Sequence, residues 1–222
     1  MLTLLMGVLL MASAPVTPKE VSFPSSDGGV VYADVYGSGD RGVLLAHGAR
    51  FNKESWKDQA HQLADAGFRV VAVEFRGYGK SRGGPNSAPG FDDMYIDVLA
   101  GVKYLRENGA TSVAVIGASM GGMAAANAVI KGAPGEIDRL VLLAPAPVKD
   151  PEKITGPKLF IVGQGDPIAA RVHEQYEKAP EPKQLVVLDS SAHAQFLFTT
   201  DVGPRVIHDI LQFLSVRSGA AH

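Results

Sequence analysis

Gly117-Ala118-Ser119-Met120-Gly121 sets a hydroxyl between two glycines, directly after the apolar run Val113–Ile116 and at the head of a helical stretch, 120–131. A strand-to-helix turn this tight strains the backbone of its central residue. Glycines two residues to either side leave room for that strain, and the hydroxyl then projects above the sheet edge. The amino end of the helix beneath it favours developing negative charge. Such a serine suits nucleophilic attack, provided that a base takes its proton and an acid orients the base. The chain supplies both. The run Leu185–Leu188 leads into Asp189-Ser190-Ser191-Ala192-His193, so His193 stands in a loop just past a strand end. Leu159–Val162 leads into Gly163-Gln164-Gly165-Asp166-Pro167, so Asp166 stands in the equivalent loop. In a parallel sheet these carboxyl ends share one edge, where sites assemble.

Other residues compete for these roles. His47 follows a strand but precedes Gly48, and reads as a loop-shaping residue; His61, His173 and His208 fall within helical stretches, and His222 is terminal. Asp189 lies too close to His193, which leaves Asp150, after Leu140–Ala144, as the one serious alternative acid. Gly79-Lys80-Ser81 looks like the end of a phosphate-binding loop, but that motif needs Gly where Glu74 stands.

The elements that must position Ser119, Asp166 and His193 follow from the hydropathy pattern. Val30–Tyr36 reads as a strand paired with Val21–Phe23 across the turn-rich segment Ser25–Gly29. Six continuous apolar runs follow: Val43–Ala46, Val70–Phe75, Val113–Ile116, Leu140–Ala144, Leu159–Val162 and Leu185–Leu188. Strands apolar at successive positions are buried on both faces, as in the middle of a parallel sheet. Helical stretches at about 54–66, 91–107, 120–131, 168–178 and 204–216 alternate with them. This alternation predicts an α/β fold with a doubly wound, mostly parallel sheet of about eight strands. With neither repeats nor long linkers, residues 20–222 are expected to form one domain.

Composition narrows the chemistry. The 222 residues carry 21 Lys+Arg against 23 Asp+Glu, and this near-neutral balance argues against a nucleic-acid partner. The chain has no cysteine, which excludes thiolate metal sites, disulfides and a cysteine nucleophile. No His/Asp/Glu cluster has ligand spacing, so neither metal nor cofactor is expected. The apolar run Met1–Ala12 is too short to span a bilayer. Residues 1–19 read either as a signal peptide, implying a periplasmic or secreted protein, or as an N-terminal helix of a cytoplasmic one. Lys and Arg are missing before the run, which weakens the first alternative.

Four motifs occur in an order that resembles the serine hydrolases of the α/β-hydrolase superfamily. They are His47-Gly48, then Glu74-Phe75-Arg76-Gly77-Tyr78-Gly79-Lys80-Ser81, then the turn at Ser119, then Asp166 and His193. The second is similar to that family's D-x-R-G-x-G-x-S loop, with Glu74 in the usual Asp position. The resemblance implies an α/β-hydrolase fold in which Ser119 attacks, His193 is general base and Asp166 orients it. It also implies an oxyanion hole from the backbone N–H groups of Met120 and Ala49. Only about a dozen residues, Ala146–Pro157, join Leu140–Ala144 to the next strand, so no cap domain is expected. The chain thus resembles small lidless esterases and dienelactone-hydrolase-like enzymes, although the latter commonly carry Cys where Ser119 stands. The implied partner is a small-molecule ester with a short acyl chain, and the implied assembly a monomer or homodimer. Thioesterase, amidase or perhydrolase activity would use the same triad, whereas a non-catalytic binding protein would be expected to lack part of it. Arg50, Phe51, Trp56, Phe196 and Phe198 flank the oxyanion and histidine loops and are candidates for lining the substrate pocket.

Overall fold

The structure is a computed structural model that describes residues 17–87 and 90–216. The expectations placed on residues 1–16, and His222, lie outside the described residues. Strands β1 (Lys19–Pro24) and β2 (Val30–Tyr36) form the anticipated antiparallel hairpin. β2 then pairs antiparallel with β4 (Phe68–Val73). The remaining strands are parallel: β3 (Arg41–Ala46), β5 (Ser112–Ala118), β6 (Arg139–Leu143), β7 (Lys158–Gly163) and β8 (Lys183–Leu188). The eight strands run in the order β1-β2-β4-β3-β5-β6-β7-β8. Helices α1 (Lys57–Asp65), α2 (Met94–Glu107), α3 (Met120–Lys131), α4 (Ala169–Lys178) and α5 (Gly203–Ser215) intervene. The β6–β7 connection holds only a short 3-10 turn, Pro151–Lys153, and no cap domain is evident among the described residues. No helix among them is long and apolar enough to cross a membrane.

The inner strands are buried at nearly every position, as continuous apolar runs require, with Leu44, Leu45, Ile116, Leu140, Leu142 and Phe160 inaccessible. β8 departs from that pattern. It pairs with β7 alone, and Val187 is 45% exposed. The run Val70–Phe75 also stops short as a strand, at Val73. The Glu74 N–H still donates to Tyr32 O, the next rung after Val73–Ala33, but the Phe75 N–H turns to His47 Nε2, which draws the chain out of the ladder. Residues 54–66 divide into a 3-10 turn, Lys53–Trp56, and α1.

The arginine motif after β4 ties its loop to α2 and to the β1–β2 turn. Arg76 is buried, grips Asp97 through Nε and Nη2, and reaches Asp27 in the β1–β2 turn at 2.8 Å. Burial pushes the Asp27 carboxyl up, but hydrogen bonds from Ser25, Arg76 and Ser87 outweigh it and hold the group well below the usual carboxylate range.

Lys158, opening β7, is fully buried, and its ammonium donates to Pro180 O at 2.6 Å. Burial pushes this amine down to about 8 from its ordinary 10.5. Below about pH 8 it is charged in both states, and the folded state bears the desolvation cost. Between pH 8 and 10.5 only the unfolded chain keeps the proton, so stability rises with pH. Buried Tyr36, pushed up to about 12 by desolvation, opposes this above pH 10, where the unfolded phenol ionises first. Urea unfolding should therefore give about 1–2 kcal/mol more stability at pH 9.5 than at pH 7.5. That gain should vanish in Lys158→Met; identical pH slopes for the two proteins would refute the assignment.

Candidate active site

β5 ends at Ala118 and α3 begins at Met120, so Ser119 alone turns the chain, at φ 51° and ψ −113°. Such a backbone costs on the order of 1–3 kcal/mol and persists only where its surroundings enforce it. Three bonds do so here: the Ser119 N–H donates to Leu143 O, and Ser119 O accepts from the N–H groups of Met123 and Ala146. The flanking glycines are required by space. A Cβ on Gly117 would stand 2.4 Å from Gly121 O, and one on Gly121 would stand 2.2 Å from Ala46 O. Both neighbours are backbone, which cannot swing away.

The carboxyl edge of the sheet brings the three predicted side chains together. His193 Nε2 lies 2.8 Å from Ser119 Oγ, and its Nδ1 lies 2.8 Å from Asp166 Oδ2. Asp166 is buried beneath the ring, and its Oδ1 accepts from the Ile168 N–H at 2.9 Å. A carboxylate only accepts, so Nδ1 carries the proton and Nε2 is left to receive the one on Ser119. The rivals stand elsewhere. Asp150 pairs with Lys153 at 3.2 Å, and Asp189 accepts from Gln164 Nε2 at 2.6 Å. His61 meets the Tyr36 ring edge-on.

His47 is fully buried, and burial pushes its imidazole down to about 4. The neutral ring accepts from the Phe75 N–H and donates through Nδ1 to Gly48 O, as a loop-shaping residue would. Beside it, Ala49 O accepts from the Tyr78 hydroxyl at 3.0 Å, while the Ala49 N–H has no partner among the described residues. The Met120 N–H opens α3, where the helix itself offers no acceptor. Both N–H groups predicted to meet an oxyanion are therefore free to do so.

Two residues that sequence reading missed support this loop. Tyr78 touches both halves of the predicted hole, through Ala49 O and, at 3.6 Å, Met120 Sδ. Gln195, two positions past His193, accepts the Gly48 N–H at 2.8 Å. Of the predicted pocket residues, Phe51 and Phe196 pack with their rings tilted by 58° and centroids 4.9 Å apart, and Phe196 is 41% exposed. Arg50 is exposed. Trp56 corrects the expectation: it is fully buried against Phe198, 5.8 Å between centroids, and belongs to the core. A cleft of about 830 Å³ lies at the opposite edge of the sheet, between Asp40, Arg41, Ser112 and Asp138, and contains none of these residues. Among the described residues, no group of three His, Cys, Asp or Glu side chains is placed to share a metal ion.

The pattern of the serine aminopeptidase, S33, family of hydrolases matches residues 38–152, just over half of the chain. A Rattus norvegicus protein named as a protein-lysine deacylase is 30% identical over 181 residues, covering 78% of this chain and 84% of that one. The chain belongs to the α/β-hydrolase family of serine hydrolases. Its fold matches that of the Pyrococcus furiosus esterase Pf2001, with a TM-score of 0.76 at 21% identity over 93% of this hydrolase and 96% of that chain. An Exiguobacterium antarcticum esterase aligns with a TM-score of 0.73 at 16% identity, over 89% of this hydrolase and all of that chain. The likeness extends to the family and its fold and does not select the dienelactone-hydrolase-like branch.

Proposed function

We propose that this hydrolase cleaves carboxylic esters of short acyl chains through an acyl-serine intermediate, with residues 20–222 acting as one catalytic unit. The observation that carries the reading is the pair of 2.8 Å contacts linking Ser119, His193 and Asp166. Ser119 Oγ attacks the ester carbonyl carbon while its proton passes to His193 Nε2. The carbonyl oxygen becomes an anion held by the N–H groups of Ala49 and Met120, a contribution of several kcal/mol in such sites. The carbon–oxygen bond to the alcohol then breaks, and the imidazolium returns its proton to the departing oxygen. Water attacks the acyl-serine with His193 again as base, releasing the acid and restoring Ser119. Asp166 keeps Nδ1–H in place and stabilises the imidazolium in both halves.

Acyl length follows from the short β6–β7 connection. Each methylene buried adds about 0.8 kcal/mol, roughly fourfold in binding. Without a cap, loop residues such as Phe51 and Phe196 cover only the first few. Across p-nitrophenyl esters, kcat/KM should rise and then level off or fall after about two to six acyl carbons. A steady climb to twelve or more carbons would refute an uncovered site. The name of the rat relative favours a second reading, in which the same triad cleaves an acyl-lysine amide. An Nε-acyl-lysine peptide and a thioester of matched acyl length, assayed beside the esters, separate these. Covalent labelling of Ser119 by a fluorophosphonate tests the nucleophile itself, and an unlabelled Ser119 would overturn both readings.

A further inference from the structure

We infer that Gln195 is a positioning residue that braces the oxyanion loop against the loop bearing the general base; this deepens the ester-hydrolase reading and rests on it. Gln195 is 147 residues from Gly48 in sequence, yet its Oε1 accepts the Gly48 N–H at 2.8 Å, and its side chain is buried. The chain reaches this arrangement through Ala194, also buried, whose φ of 50° reverses the backbone between His193 and Gln195.

The orientation of the Gln195 amide is set by a relay. The Ser55 hydroxyl donates its one proton to Asn52 O at 2.5 Å, so Ser55 Oγ accepts from Gln195 Nε2 at 2.9 Å. The amide oxygen is thereby turned toward Gly48. A reversed amide would set two donors against each other, so the relay selects one orientation. Around this bond, Gly48 O accepts from His47 Nδ1 and the Phe51 N–H, and Ala49 O accepts from Tyr78. Every backbone polar group of Gly48 and Ala49 is then engaged among the described residues except the Ala49 N–H. Gln195 supplies the one anchor in this set that comes from the histidine loop. It fixes the distance between the donor that meets the oxyanion and the imidazole that moves the proton, and these two act together only in the transition state.

A brace of this kind acts on kcat and leaves ground-state binding alone. Removing one oxyanion donor costs about 10²–10³ in rate, so loosening a donor that remains present should cost about 10–100-fold. The test compares wild type with Gln195→Met, which keeps length and volume but offers only a weak sulfur acceptor, and with Ser55→Ala, which frees the amide to reverse. Three quantities are read: kcat and KM on a short p-nitrophenyl ester, the inhibition constant of a matching trifluoromethyl ketone, and the rate of fluorophosphonate labelling at Ser119. Gln195→Met should lower kcat and the labelling rate about 10–100-fold with KM within about threefold, and weaken the ketone by the same factor as kcat/KM. Ser55→Ala should move all three in the same direction by a smaller factor, and it decides the matter if Gln195→Met does not fold. Variants that unfold at lower temperature but keep wild-type kcat, ketone affinity and labelling rate would overturn the inference alone. A rise in KM at constant kcat would do the same. A wild-type protein that neither hydrolyses esters nor is labelled at Ser119 would overturn the ester reading, and this role with it.

Discussion

Ser119→Ala and His193→Ala should each remove nearly all turnover, on the order of 10⁴–10⁶, and the double variant should be hardly worse than either. The reason lies in the single contact between them, His193 Nε2 to Ser119 Oγ at 2.8 Å. Without the imidazole, the serine proton has nowhere to go as the carbonyl is attacked. Without the hydroxyl, the imidazole has no nucleophile to activate. Whichever partner is lost first takes the shared contribution with it, so the second loss has little left to remove. What survives comes from the N–H groups of Ala49 and Met120 and from substrate binding, which neither substitution touches. Single-turnover and steady-state rates of all three variants provide the measurement, after circular dichroism has established folding. Losses that multiply in the double variant would show Ser119 and His193 acting independently, and the proposed proton transfer would be wrong. Exposure favours clean interpretation: the His193 side chain is about a third accessible, so truncating it leaves no large core cavity.

The parts of this arrangement that were legible in the sequence are those set by short-range pattern. Val113–Ile116, Ser119 and the glycines around it lie within one strand–turn–helix unit, where a glycine spacing has a direct steric meaning. His193 and Asp166 were legible by one further step, because apolar runs imply parallel strands and parallel strands share a carboxyl edge. The brace at Gln195 was not. Its partner Gly48 is 147 positions away, and nothing local distinguishes a glutamine that accepts a backbone N–H from one that faces water. Tyr78 was hidden likewise within a motif read for its glycines and arginine.

Apolar side chains were ambiguous for a different reason. Phe51, Trp56, Phe196 and Phe198 have the same affinity for a core as for a substrate pocket, and sequence position near the site does not separate the two. The structure divides them by exposure, leaving Trp56 inside and Phe196 at the surface. β8 shows the converse error. Leu185–Leu188 is as apolar as the inner runs, but an edge strand has a neighbour on one side only, and edge position is a property of topology that no single strand encodes. The buried amine of Lys158 follows the same rule, since a lysine at the start of a strand reads as a solvent-facing residue until the Pro180–Pro182 turn is known to cover it.

Asp166→Asn should lower turnover on the order of 10⁴, more than the loss of one charge would suggest. The two carboxylate oxygens have different tasks: Oδ1 accepts the Ile168 N–H at 2.9 Å, and Oδ2 faces His193 Nδ1 at 2.8 Å. In the asparagine variant the Ile168 N–H needs an acceptor and captures the amide oxygen. The amide nitrogen is then left facing Nδ1, and a nitrogen that donates there forces Nδ1 to accept. The imidazole proton moves to Nε2, the atom that must receive the proton of Ser119, and the base is lost while the geometry stays intact. Asp150→Asn and Asp189→Asn should leave the rate within about twofold, because each carboxylate pairs away from His193, with Lys153 and with Gln164. Steady-state rates on a short p-nitrophenyl ester, normalised to folded protein, compare the three. A near-normal Asp166→Asn beside a crippled Asp150→Asn would move the acid to the loop after β6. Severe loss in Asp166→Asn alone fixes it at the end of β7, where the tautomer of His193 is decided by which oxygen the Ile168 N–H has already taken.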